Sequence, residues 1–190
     1  MELVEDWKLK SLPRRKRIGI QMLGMSGMLG VIVLGEYLFR VDVQAATDSF
    51  VLWAVVLIIV FVVTVVLHEG LHGLFFWLFS HKVRFGAQLW SLMGPTFWAS
   101  SPGSLFPRAK FQTIALAPQL LTILLFLILA LVPLSNIVTY ALILTAAFNL
   151  GGGCLDIYAA ILLCKYPRSL FIEDARDGFK VYKEVANASI

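Results

Sequence analysis

The phrase HEGLH, running from His68 to His72, holds two imidazoles and a carboxylate within little more than one helical turn. On a helix, residues four apart project from the same face, about 40° apart in azimuth, so His68 and His72 can grip a single zinc ion. Glu69 follows His68 by about 100° and stands beside such an ion. From there it can act as catalytic base, taking a proton from a water on the metal and returning it to a leaving amine. Zinc lowers the pKa of such a water toward ~7, which makes the nucleophile available at neutral pH.

A catalytic zinc usually has three protein ligands and one open position, so two histidines call for a third partner. Asp156 is the candidate. Away from the ends of the long apolar runs, only His68, Glu69, His72 and Asp156 are titratable, and a titratable group deep in lipid marks function by default. The depths also agree. His68 lies about 13 Å before Trp77 and Asp156 about 15 Å before Tyr166, both aromatics being interface markers. Asn149, Gly152, Gly153 and Asp156 fall at i, i+3, i+4 and i+7, one narrow helix face that points to protein or water rather than lipid. Asn149 is a candidate for holding a substrate backbone or stabilising an oxyanion, with an interhelical polar contact as the other reading.

The elements that must position these groups read as membrane spans. The chain has 190 residues, of which 59% are hydrophobic and 15% charged, with a mean hydropathy of +0.82. The expectation is an all-α integral membrane bundle of four transmembrane helices, at about 18–39, 50–79, 111–132 and 138–164, forming one domain over 1–190. Asp48 or Ser49 is a plausible N-cap for the second span, and Pro133 separates the last two into a tight hairpin. Six basic residues precede Ile18, four lie between Ser80 and Lys110, and five follow Cys164. The remaining one, Arg40, stands alone at the edge of the other side. By the positive-inside rule this places both termini in the cytoplasm of a multi-pass protein of the cell membrane.

The segment from Ser80 to Lys110 contains six Gly and Pro residues (Gly86, Gly94, Pro95, Pro102, Gly103 and Pro107) and is not a span, and its first part, VRFGAQLW, alternates weakly. It reads either as a strand or hairpin at the interface or as an ordinary connecting loop. The tail 165–190 reads as cytosolic, with a short solvated helix from Glu173 onward. Other chemistries are excluded. The net charge of +4 comes without an interleaved basic and aromatic stripe, so no nucleic-acid partner is implied. Ser100, Ser101 and Ser104 lack ordered His and Asp partners. There is no P-loop, and Cys154 and Cys164 would stand about 15 Å apart on one helix, too far for a disulfide.

HExxH in the second span, with an Asn…Asp stripe in a later one, resembles the site-2 protease class of intramembrane metallopeptidases. More closely, the chain resembles small bacterial membrane proteins classed as zincin peptidases, through HEGLHGLFF, IALAP at Ile114 to Pro118, FNLGGGCLD at Phe148 to Asp156, and an acidic segment around Asp174. The resemblance covers about Val51 onward. It implies zinc as cofactor, His68, His72 and Asp156 as ligands, Glu69 as base and Asn149 as substrate-positioning residue. The segment after the second span would match a hairpin that presents substrate as an added strand. In site-2 proteases the aspartate usually sits in an LDG phrase, whereas here Ile157 follows Leu155-Asp156. The expected partners are a membrane-embedded or membrane-adjacent protein substrate, the lipid bilayer and a regulatory membrane protein. The alternatives are a non-catalytic zinc-binding regulatory subunit, which has no need of Glu69, and a metal carrier using the same ligands for transit.

Overall fold

The computed structural model describes residues 1–42, 49–88, 96–175 and 178–184. The first two apolar runs form long unbroken helices. α1 spans Arg14–Phe39 and α2 spans Phe50–Ser80. Both are long and apolar enough to cross a membrane. α2 has 31 residues, about 46 Å at 1.5 Å per residue, which exceeds a ~30 Å hydrocarbon layer. Ser49 caps α2: its Oγ accepts the Leu52 N–H at 3.4 Å, and its carbonyl accepts the Trp53 N–H. Asp48, the other candidate cap, lies outside the described residues. α1 stops in a Schellman turn, with Arg40 at φ 49 and the Val41 N–H reaching back to the Glu36 carbonyl.

The next two apolar runs do not form straight spans. α3 (Arg108–Leu116) and α4 (Gln119–Leu131) meet at a 42° bend, and α5 (Asn136–Gly152) and α6 (Cys154–Leu163) at a 43° bend. The first bend falls on Ala117 and Pro118, where proline has no N–H for the helical ladder. The second falls on Gly153, the last glycine of the GGG run.

Strands make up the rest. β1 (Glu2–Lys8), β6 (Gly178–Lys183), β5 (Phe171–Ala175) and β4 (Leu105–Pro107) form an antiparallel sheet in the order β1-β6-β5-β4. Glu2 pairs with Lys183 and Lys8 with Gly178, so the two ends of the chain share one ladder. β2 (Arg84–Gln88) and β3 (Thr96–Ser100) form a separate antiparallel pair, with Arg84 opposite Ser100 and Gln88 opposite Thr96. The connection between them, 89–95, lies outside the described residues.

The expected all-α four-helix bundle is therefore corrected. The chain is mixed α/β, and its described residues form two antiparallel sheets, two unbroken membrane-length helices and two bent helix pairs. The tail expected to be a solvated helix is instead β5 and β6. Its apolar residues alternate, and Ile172, Phe179 and Val181 are fully buried, so the period is that of strands.

The chain divides into two compact units. The first comprises Met1–Ile18, Glu69–Ala117 and Asp156–Ile190, and holds the sheets. Its core packs Phe76, Phe106, Phe111, Ile114, Leu163, Leu170, Ile172, Phe179 and Val181 together. The second comprises Gly19–His68 and Pro118–Leu155 and is helical. Small residues allow its helices to approach closely: a Cβ added at Gly35 would sit 2.8 Å from Ile143, and one at Gly24 would sit 2.9 Å from the Cys154 Sγ. The boundaries at 68/69 and 155/156 fall inside the unbroken helices α2 and α6.

Candidate metal centre

The helical unit fixes His68 through Asn149. The Asn149 Nδ2 donates to the Pro118 carbonyl and to Thr122 Oγ1, both at 2.8 Å. A carbonyl can only accept, so the amide orientation is set and Oδ1 faces the other way, 3.0 Å from His68 Nδ1. That nitrogen must then carry the proton and donate. Asn149 is completely buried and all of its hydrogen-bonding groups are engaged. These contacts are those of the interhelical reading of Asn149, and through them the residue orients a histidine. Its role depends on Pro118 and Thr122, which lie far away in sequence, so the FNLGGGCLD phrase alone could not show it.

The sheet-bearing unit fixes His72 by a different route. The His72 Nδ1 lies 2.9 Å from the Ile114 carbonyl and donates to it. In an α-helix that carbonyl would accept the N–H of residue 118, but residue 118 is proline. The Ala117 N–H reaches this carbonyl at 3.2 Å in a tighter turn, and the missing N–H of residue 118 leaves its second lone pair for the imidazole. Both histidines are held with a proton on Nδ1, so in the neutral ring that a metal would bind Nε2 is the nitrogen left to ligate, the arrangement that orients a metal ligand and sets its tautomer.

On the Nε2 side of His72 stands Asp156, its Oδ2 at 3.5 Å. Ligands about 2.0–2.1 Å from a tetrahedral zinc are about 3.3 Å apart, so the pair fits two corners of one site. His68, His72 and Asp156 each offer one ligand atom, and these atoms lie within 4.8 Å of one another. The chemistry of the donor set, two neutral imidazoles and one carboxylate, suits zinc with a position left open. Glu69 is turned toward the β2–β3 pair, where its Oε2 accepts the Ala99 N–H at 2.7 Å. The carboxylate is thereby held by backbone.

The remaining sequence candidates have structural roles. Ser80, Ser101 and Ser104 form a hydroxyl chain with contacts of 2.8 and 2.9 Å. His81 ends α2 and packs edge-on against Trp77. Cys154 packs at Gly24. Asp174, quoted only as part of an acidic segment, carries more weight than that. Burial pushes its carboxyl up to about 7; the His72 charge and the Ser101 N–H pull it down, while Asp156 and Glu173 push it up. A carboxylate that senses His72 and Asp156 could not be found from sequence, because β5 was not recognised as a strand.

The family model described as "Putative zincin peptidase" matches residues 61–171, the stretch from within α2 to the start of β5. The chain belongs to that family. No curated protein and no solved structure matches it. Zincin peptidases use zinc, and the His68, His72 and Asp156 cluster falls within the matched stretch. β1, all of α1 and the first part of α2 precede the zincin match, and all but the first residue of β5 follows it. The helical supports of both histidines lie inside it.

Proposed function

We propose that this zincin-family chain is an intramembrane zinc metalloprotease of the site-2 protease type, hydrolysing peptide bonds of protein substrates within or beside the bilayer. The observation that carries the reading is the tautomer control at His68 and His72. Each ring is held by an Nδ1 donor bond, and the His72 Nε2 faces Asp156. A purely structural His pair has no need of that arrangement. Bound zinc supplies Lewis acidity, polarising the scissile carbonyl and making water a competent nucleophile near neutral pH. Glu69 accepts the proton that the attacking water loses. It then hands that proton to the leaving nitrogen as the C–N bond breaks, and the Ala99 N–H keeps the carboxylate from swinging away. A helical substrate must unwind first, because its peptide bonds are shielded.

Membrane location is supported by the two membrane-length helices and by the exposed apolar side chains along them. The pairing of β1 with β6 supports two ends on one side of a bilayer, and the basic residues near them favour the cytoplasmic side.

The test is metal analysis of the purified chain alongside a cleavage assay. About one zinc per chain is expected, lost in His68→Ala, His72→Ala and Asp156→Ala. Glu69→Gln should keep the zinc and lose cleavage by about 10²–10⁴-fold. A well-folded wild type that takes up no zinc would overturn the reading. Retention of cleavage by Glu69→Gln would remove the base, and transport by that variant would favour a metal carrier.

A further inference from the structure

Gln119 opens α4, directly after the Pro118 bend. Its side-chain Oε1 and Nε2 are both closed off from solvent, and neither has a hydrogen-bond partner among the described residues. An amide buried in that state destabilises the fold, and a native chain that keeps one calls for an explanation. Its surroundings suggest what it waits for. A Cβ placed at Gly153 would run into the Gln119 Nε2 and would lie 3.2 Å from His68 Cε1. The glutamine amide and the edge of the His68 ring thus converge on one spot that only glycine leaves open. Asn149, the neighbouring amide, has no donor to offer, since both of its N–H groups are taken by Pro118 and Thr122.

We propose that Gln119 is a catalytic residue whose side-chain N–H receives the oxyanion formed when the scissile carbonyl is attacked. The proposal rests on the peptidase reading above. In that step the water oxygen bonds to the carbonyl carbon, and the C=O π pair moves onto the oxygen that Gln119 binds. The proton lost by water goes to Glu69 and then to the leaving nitrogen. As the C–N bond breaks, the oxygen's electron pair re-forms the C=O of the acid product. A donor aimed at charge that develops only in the transition state accelerates the chemistry without tightening substrate binding. It stays unmatched in the resting protein for the same reason.

The experiment uses the full zinc-loaded chain in detergent and two probes. One is a phosphinic pseudodipeptide of phenylalanine and leucine, which carries a tetrahedral oxyanion; the other is its reduced-amide counterpart, which carries none. Wild type should prefer the phosphinate. In Gln119→Leu and Gln119→Ala that preference should fall by about tenfold or more, with zinc content unchanged. Gly153→Ala, which pushes the amide aside, should show the same loss. The melting temperature supplies a readout that a structural role would move the other way. Replacing an unmatched amide by an apolar group should raise the Tm of Gln119→Leu by about 2–4 °C, whereas an amide that held the fold together would give a fall. An unchanged preference, a preference lost together with zinc, or a lowered Tm in Gln119→Leu would each overturn the proposal and leave the peptidase reading standing. So would a zinc-loaded wild type that does not discriminate. A wild type that takes up no zinc would overturn both.

Discussion

In the unit that carries the sheets, Phe106, Ile172, Phe179 and Val181 are 2% exposed or less, whereas in the helical unit Leu23, Ile58, Val66 and Leu131 are 64% exposed or more. The sheet core of the first unit hides its large apolar side chains as the core of a water-soluble domain does, although Phe85 and Ile161 of that unit are exposed. The second displays them and holds its helices by close approach at Gly24 and Gly35, as expected where the surrounding medium is itself apolar. The contrast extends to the histidines. His72, in α2 within the sheet-bearing unit, is held by a backbone carbonyl, and His68, at the edge of the helical unit, by a buried side-chain amide. The difference teaches that one short motif is supported by two kinds of packing, and that each support can be attacked separately.

The largest expected effect breaks the burial contrast directly. Ile172→Ala should destabilise the chain by about 2–5 kcal/mol, while Leu23→Ala should stay within about 0.5 kcal/mol, both read from chemical denaturation in detergent. Equal losses would mean that the helical unit is packed like a soluble core.

The next effect sharpens the picture of the sheet-bearing unit. Asp174 is ordinarily a carboxyl of pKa 3.8 and is raised to about 7 in the fold. Between those values the folded chain binds the proton and the unfolded chain does not, so stability falls as pH rises. The penalty is absent below 3.8 and complete above about 7, on the order of 4 kcal/mol. Metal-free wild type should therefore lose stability from pH 4 to pH 7.5, and Asp174→Asn should flatten that slope. A wild-type slope of opposite sign, or one unchanged in the variant, would contradict the assignment.

The smallest effect separates the two histidine supports. Asn149→Ala should weaken zinc binding by about 10–100-fold, measured by competition with a chelator, without removing the His72 support. Pro118→Ala restores an N–H that competes for the Ile114 carbonyl and should weaken zinc through His72 instead. If the two losses were identical in the double variant and in either single one, the supports would be a single unit rather than two.

The chemistry was more legible in the sequence than the architecture. HEGLH and Asp156 stood out because titratable groups are rare inside apolar runs, and the structure brings His68, His72 and Asp156 together. Asn149 was visible as a polar residue, but its task was set by Pro118 and Thr122 and could not be read locally. Gln119 carries no charge, and nothing in its sequence neighbourhood distinguishes it from an ordinary polar residue at the start of a helix. The IALAP phrase did carry a readable signal: a proline four residues after Ile114 announces a carbonyl without its helical donor. The sheets were harder. β1 pairs with a strand at the far end of the chain, a non-local pairing that no window can contain. The alternation of β6 was short and adjoined charged residues, so it passed for a tail.

That long-range pairing has a consequence for how the chain is made. β1 leaves the ribosome well before β6, because residues 9–177 lie between them. The earlier strand must therefore wait without its β6 partner while that intervening stretch is made. Its apolar Leu3, Val4 and Trp7 lie in a segment without its ladder during that interval. Closure of this ladder thus cannot precede synthesis of β6, so the sheet is assembled after the helices that lie between its strands have been made.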